Sequence, residues 1–341
     1  MKRTKRQHYV TRAYLDGFLG DGQRTFWVYG RNRDAAFRAN PESVAFEGNY
    51  YSFKRPDGTW DDELETFLAN HVEGPGIGFV RRLTKHETEL SWQEREHLAL
   101  ALAFQEFRVP SMREVHDTMF QQAMEHLQAD FETHESANLR LRFFSRFHDL
   151  TSEVSVTPES IKAELQKIAD DPTRFSRESM QHHAFSFMRI YRYMRWEVYY
   201  AGGKEQFVTS DCPVMRVFPP GGDTSMSLLR PDVEVRFPLD KRSMLILRHD
   251  RDATQRVKEA GSEASRVFDD FERSVPQAVI HRRFGRSIRN FIMDYRVLAD
   301  SWYLFDNTGT RPELIAVEKA KKLRIMKADV YRALAARYGE K

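Results

Sequence analysis

A chain of 341 residues with 41% hydrophobic, 30% charged and 13% aromatic side chains is long enough to bury one large core or two modest ones, which excludes intrinsic disorder for most of its length. Its one cysteine, Cys212, excludes an intramolecular disulfide and thiolate metal clusters, so any metal must sit on His and carboxylate. The formal net charge of +3 is too small to be a nucleic-acid footprint in itself.

No apolar run approaches the length of a membrane span, and Arg12 and Asp16 fall where the apolar part of a signal peptide would lie. The expected setting is the cytoplasm, with no membrane partner. Arg outnumbers Lys 39 to 14, an excess that a GC-rich genome would produce everywhere along a chain. Two local clusters stand above that background. One is Lys2, Arg3, Lys5, Arg6 and Arg12; the other is Arg273, Arg282, Arg283, Arg286, Arg289 and Arg296.

From the N-terminus, Arg24 to Tyr29 and Asn49 to Phe53 read as short strands, with Arg55-Pro-Asp-Gly58 as a turn. Asp61 to His71 reads as a helix with acids in its first turn, and Gly74-Pro75-Gly76 reads as its stop. Ser91-Trp-Gln-Glu94 is a capping box that opens a helix ending at Val109-Pro110, and Ser111-Met-Arg-Glu114 opens another immediately. Further helices are expected from Thr157-Pro158 to Asp171 and from about Arg177 to Arg195.

The period then becomes strand-like at Trp196 to Tyr200, Gln206 to Thr209, Val233 to Phe237 and Ser243 to Leu247, which predicts an antiparallel sheet over 196–247. Phe218 to Ser225 is Pro/Gly-rich and reads as a loop, Glu263 to Arg296 as helical, and Arg311 to Gly339 as basic amphipathic helices. The order of elements argues for an α+β fold: a mainly helical body with a small N-terminal β element and one antiparallel sheet. One compact domain is expected over 1–305, with the helices of 306–341 packed on it or used for association into a homo-oligomer.

No nucleotide loop, dinucleotide fingerprint, zinc helix or serine elbow is present, and no organic cofactor is expected. Arg followed four to six residues later by His is a signature of one class of helical ribonuclease, and Arg177 with His182 or His183 has that form. The abundance of both residue types produces such pairs by chance. Glu65 and Glu73, eight residues apart, fall within about 80° of each other around a helix axis. Asp232 and Glu234 alternate onto one strand face before Arg236, loosely as in Mg²⁺ sites of nucleases. Thr209-Ser-Asp-Cys-Pro213 delivers Ser210 and Asp211 at a strand end, either as site residues on a rigid support or as a local turn.

Four blocks, Gln7-His-Tyr-Val-Thr-Arg-Ala-Tyr-Leu-Asp-Gly-Phe18, Gln105-Glu-Phe-Arg-Val-Pro110, Phe207-Val-Thr-Ser-Asp-Cys-Pro-Val214 and Arg236-Phe-Pro-Leu239, together resemble a bacterial family, domain of unknown function 4238. Thr11 stands where that family usually has Pro, and Cys212 where it usually has Asn. The resemblance implies that His8, Glu65, Gln105, Arg108, Ser210 and Asp211 occupy motif positions, and implies no reaction. Such residues would make a plausible convergent site: Asp211 with Glu65 or His8 holding Mg²⁺ or Mn²⁺ or acting as general base, and Arg108, Gln105, Arg12 and Ser210 holding an anionic substrate. Phosphodiester cleavage of nucleic acid is the reaction expected, and bacterial families of this character resemble toxins or anti-phage effectors. The alternative is a protein that binds nucleic acid or a regulatory partner without catalysis, in which His8, Asp211 and Arg108 form a buried polar network.

Overall fold

The computed structural model describes residues 5–30, 36–55, 57–87, 89–118, 173–201, 206–217, 228, 232–249, 280–283 and 303–306. The expected helix over 157–171, the loop over 218–225, the helices over 311–339 and most of the second Arg cluster lie outside the described residues. Strand β1 (Arg6–His8) leads into the short helix α1 (Arg12–Leu15), followed by β2 (Phe26–Gly30), β3 (Phe37–Ala39) and β4 (Phe46–Gly48). A hairpin of β5 (Phe53–Lys54) and β6 (Trp60–Asp61) precedes the helices α2 (Glu63–Phe67), α3 (Gly74–Thr84), α4 (Trp92–Phe107) and α5, helical over 110–118. After α6 (Arg174–Tyr193) come β7 (Arg195–Tyr200), β8 (Thr209–Ser210), β9 (Met215–Val217), β10 (Glu234–Asp240), β11 (Ser243–Arg248), β12 (Ile280–Arg283) and β13 (Tyr303–Asp306). The fold is α+β, as the sequence indicates.

A five-stranded sheet runs β12-β7-β11-β10-β9, and its strands within 196–247 are all antiparallel. Strand β12 adds to its edge parallel to β7, in a stretch whose sequence reads as helix. The correction has a physical cause: a partner strand more than eighty positions away in sequence supplies the hydrogen bonds that override local helical periodicity. A second sheet, β3-β2-β13-β8, joins the N-terminal strands to β13 and to the end of the Gln206 to Thr209 segment, of which only Thr209 enters a strand. Asn49 to Phe53 is not one strand either. Asn49 has φ of +56°, a left-handed turn that ends β4, and Tyr50 and Tyr51 then turn into the core.

One face of the five-stranded sheet presents Trp196, Val198, Leu245, Leu247, Val235 and Phe237 to the main core, alternating as a strand period requires. Helices α4 and α6 pack together over that core, and both reciprocal bonds of the Ser91/Glu94 capping box form at the start of α4. Arg95, fully buried on α4, lies with its guanidinium carbon 4.4 Å from the centre of Trp196 and donates to the carbonyl oxygens of Arg192 (2.6 Å) and Met194. It thereby satisfies backbone acceptors at the C-terminus of α6, where the helix dipole favours a cation.

Gly74-Pro75-Gly76 is not a stop. The chain passes from α2 through a π-helical turn, Leu68–Glu73, directly into α3. Pro75 has no N–H and would crowd the carbonyl four residues back; the wider π turn relieves that conflict, and proline is tolerated in the first turn of the helix that follows. Gly76 serves packing rather than termination: a Cβ there would lie 2.7 Å from the Cβ of Ala101, so α3 and α4 meet where only glycine fits.

Candidate functional site

Three motif blocks converge on Tyr14. Its hydroxyl donates to the Pro238 carbonyl (2.8 Å) and lies 2.7 Å from the Thr209 hydroxyl, while its ring stacks on Phe237 at 5.0 Å and 18°. The remaining block is tied in by Gln105, whose Nε2 donates to the Tyr9 carbonyl at 2.9 Å. Segments far apart in sequence are therefore held together by a few buried hydrogen bonds.

Strand alternation decides what β1 presents. Gln7 is buried, its Oε1 accepting from the Tyr51 N–H (2.7 Å) and its Nε2 donating to Ser52 Oγ (2.5 Å). Arg6 and His8 therefore share the opposite face. His8 pairs in register with Phe46, their rings 5.5 Å apart, and the Arg6 guanidinium carbon lies 4.9 Å from the centre of that same ring. Burial lowers the His8 pKa, opposed by a backbone hydrogen bond with Glu42 and by the charge of Glu73, and its Nε2 is buried without a partner. The imidazole is neutral near neutral pH.

Glu65 on α2 and Glu73 at the end of the π turn act on each other. Burial and then the neighbouring Glu73 push the Glu65 carboxyl up to about 7, with Arg108 pulling the other way. Arg108 sits at the C-terminal cap of α4, donates from Nη1 to Glu73, and donates from Nη2 to Gln105 Oε1 at 2.5 Å. The Tyr51 phenol, kept protonated by burial, feels Arg108, Glu73 and Glu65, and its hydroxyl donates to the His8 carbonyl at 3.3 Å. His8, Tyr51, Glu65, Glu73, Gln105 and Arg108 thus form one cluster. Sequence reasoning did not name Tyr51 for the site; the side chain is ordinary core by composition, and only its contacts place it.

Asp211 and Ser210 lie in a neighbouring layer. Ser210 Oγ accepts from the Cys212 N–H at 3.0 Å, so the local turn is made by the serine. Asp211 is 1% exposed, and its charge adds to burial in raising the Tyr9 phenol. It is not among the charges that shift His8 or Glu65. Arg12 is exposed, 3.7 Å from Glu42 in a loose surface pair. Among the described residues, no three His, Cys, Asp or Glu side chains gather as a metal-binding group.

Two other sequence features have structural explanations. The Glu234 carboxylate lies between Arg236 (2.6 Å) and Arg248 (2.8 Å), which hold its pKa low against the effect of burial, while Asp232 lies before the strand. Arg177 packs over the Phe53 ring at 4.2 Å, and His183 Nδ1 bonds the Ser179 carbonyl at 2.7 Å in a near-parallel stack with Phe107 and His116.

Over residues 6–297 the chain matches the family described as protein of unknown function (DUF4238). It belongs to that family. The DUF4238 match spans every residue of the cluster as well as the Ser210/Asp211 layer. No curated protein and no solved structure matches the chain significantly. Among the described residues, no helix is long and apolar enough to cross a membrane.

Proposed function

We propose that this DUF4238 protein is a nuclease or related phosphoesterase whose proton transfers are carried by Glu65 and His8. The observation that supports the reading is that a carboxyl pushed up to about 7 and an imidazole whose pKa is lowered and whose Nε2 is unpartnered both lie within reach of the Glu73 and Arg108 charges. A carboxyl that keeps its proton toward neutrality and an imidazole that burial keeps neutral are suited to general acid–base catalysis. Exposed Lys5, Arg6 and Arg12 surround His8 in sequence and supply positive charge for a phosphate backbone. Both Nη groups of Arg108 are engaged, so it positions Glu73 rather than gripping the substrate. A Mg²⁺ or Mn²⁺ ion on Glu65 would displace the proton it holds, so metal binding and general-acid catalysis would be exclusive roles for that carboxyl.

A second reading, a nucleic-acid-binding or regulatory protein with a structural polar network, draws on the burial of Asp211, Ser210, Gln105 and Arg108. One experiment separates the two. Wild type and the Glu65→Gln, His8→Ala and Asp211→Ala variants, each folded by circular dichroism, are incubated with labelled RNA, single-stranded DNA and duplex DNA in Mg²⁺, Mn²⁺ or EDTA. Cleavage by wild type that is lost in Glu65→Gln and His8→Ala is the expected result. No cleavage by any form, with His8→Ala and Asp211→Ala both losing stability, overturns the enzyme reading in favour of the network.

A further inference from the structure

Alternation along β1 places Arg6 and His8 on the face opposite the buried Gln7, and Phe46 stands across from His8 on β4. The pairing is fixed just before Phe46. Ala45 accepts from the Tyr9 N–H (3.0 Å) and the Val10 N–H (3.4 Å) through one carbonyl and holds φ at +53°, a left-handed conformation that a non-glycine residue keeps only where its surroundings impose it. Half-buried Phe46 then meets both polar side chains of that face: its ring centre is 5.5 Å from that of His8 and 4.9 Å from the Arg6 guanidinium carbon.

The cations around His8 differ in what each has left to bind. Arg108 is buried with both Nη groups engaged, and Arg12 shares its charge with Glu42 at 3.7 Å. Lys5 is exposed but carries a compact ammonium on a flexible stem, which suits attraction more than orientation. Arg6 is exposed, and among the described residues its guanidinium meets no acid and no hydrogen-bond acceptor, only the Phe46 ring. Contact with a ring restrains a side chain that otherwise samples many rotamers, so less freedom is lost when its fork closes on a phosphate. Two positions along an extended strand separate Arg6 from His8 by about 7 Å, comparable to one nucleotide step of an extended single strand. We propose that Arg6 grips the substrate phosphate next to the one presented to His8, and that Phe46 is the positioning residue that holds the Arg6 guanidinium ready. This rests on the nuclease reading for the chemistry at His8, although the binding itself is independent of catalysis.

The test measures binding of fluorescein-labelled single-stranded RNA and DNA oligonucleotides to the full chain, by anisotropy in EDTA across a salt series, so that cleavage plays no part. Arg6→Gln should weaken binding about tenfold and reduce the salt slope by about one phosphate contact. Arg81→Gln, which removes an exposed arginine from α3, should leave the affinity within about twofold of wild type. Phe46→Leu keeps apolar bulk without the ring and should weaken binding roughly two- to fivefold, while Phe46→Tyr keeps wild-type affinity. In the Arg6→Gln background Phe46→Leu should cost nothing more, because the ring acts through the guanidinium. Equal losses from Arg6→Gln and Arg81→Gln mean unspecific charge and overturn the proposal, as does wild-type affinity in Arg6→Gln or no binding of either oligonucleotide by wild type. A Phe46→Leu loss that persists in full beside Arg6→Gln overturns the positioning role. Cleavage by wild type with a KM unmoved in Arg6→Gln and Phe46→Leu overturns this inference and leaves the nuclease reading standing; the expected binding losses without any cleavage do the reverse.

Discussion

Replacing Glu65 with Gln tests the electrostatics of the cluster without relying on any activity. Burial and Glu73 lift this carboxyl from its ordinary 4.5 to about 7. That interval corresponds to about 3 kcal/mol between the protonated and ionised forms. Glu65 is only half-buried, and solvent screening reduces the expected contribution to about 1–2 kcal/mol. A carboxyl that binds its proton more tightly in the folded state contributes stability that is fully present below pH 4.5 and lost as pH rises through about 7. Wild type should therefore lose about 1–2 kcal/mol across that window, whereas the Glu65→Gln variant, with a neutral amide in that place, loses nothing there. Urea unfolding followed by tryptophan fluorescence, with Trp196 fully buried as a reporter, gives the stability of both proteins from pH 4 to pH 8. Other titrating groups cancel in the difference. The variant should gain on wild type as pH rises, and a difference that is flat between pH 4 and pH 8, or that falls with pH, refutes the assignment.

Arg108→Met removes the cation that neutralises Glu73 and restrains Glu65, so the fold should lose about 2–4 kcal/mol, and the Glu65 titration followed by carboxyl NMR should move upward. Gly76→Ala forces a methyl against Ala101 at 2.7 Å; thermal unfolding should show a cost of about 1–3 kcal/mol, and no cost would mean that α3 and α4 slide apart freely. Ser91→Ala deletes the acceptor for the Glu94 N–H, which is one half of the capping box, and leaves the Ser91 N–H to Glu94 bond in place. Its cost by urea unfolding should be about 1 kcal/mol.

How much of this was readable in the sequence follows from whether the cause is local. The Ser91 capping box, the Pro110 break, the strand end at Ser210 and the alternation of Trp196 and Val198 are set by neighbours a few residues away, and each appears where the pattern indicates. The parallel pairing of β12 with β7 and the pairing of β1 with β4 depend on distant partners. Ile280-His-Arg-Arg283 has no local feature that distinguishes a strand from a basic helix. Gly74-Pro75-Gly76 misleads for a related reason: its residue types do break regular helices, yet here the break is absorbed by one π turn and the glycine is needed by a helix some distance further along the chain. In the site, Glu73 does act on Glu65, but across a π turn, Leu68–Glu73, so the α-helical angle behind the eight-residue spacing is not what joins them. That Arg108 binds one of them while Asp211 stays with Tyr9 is a property of packing and has no signature in spacing.

The buried network and the chemistry of the cluster are not independent alternatives, because the same ion pair serves both. Two carboxyls face one guanidinium; Arg108 balances Glu73, and Glu65, left over in a partly dry place, keeps its proton toward neutrality. Replacing both members, Glu73→Gln with Arg108→Met, separates the roles. Removing one partner strands a charge, whereas removing both leaves none, so the double variant should be more stable than Arg108→Met alone by about 2 kcal/mol. Its Glu65 should remain raised by burial but fall below the wild-type value, since the Glu73 contribution exceeds the opposing one from Arg108. If Glu65 in the double variant titrates as in wild type, the pair does nothing for the acid and is structural alone. If it drops and cleavage shifts to lower pH with it, the fold's buried ion pair is what sets the working pH of the site.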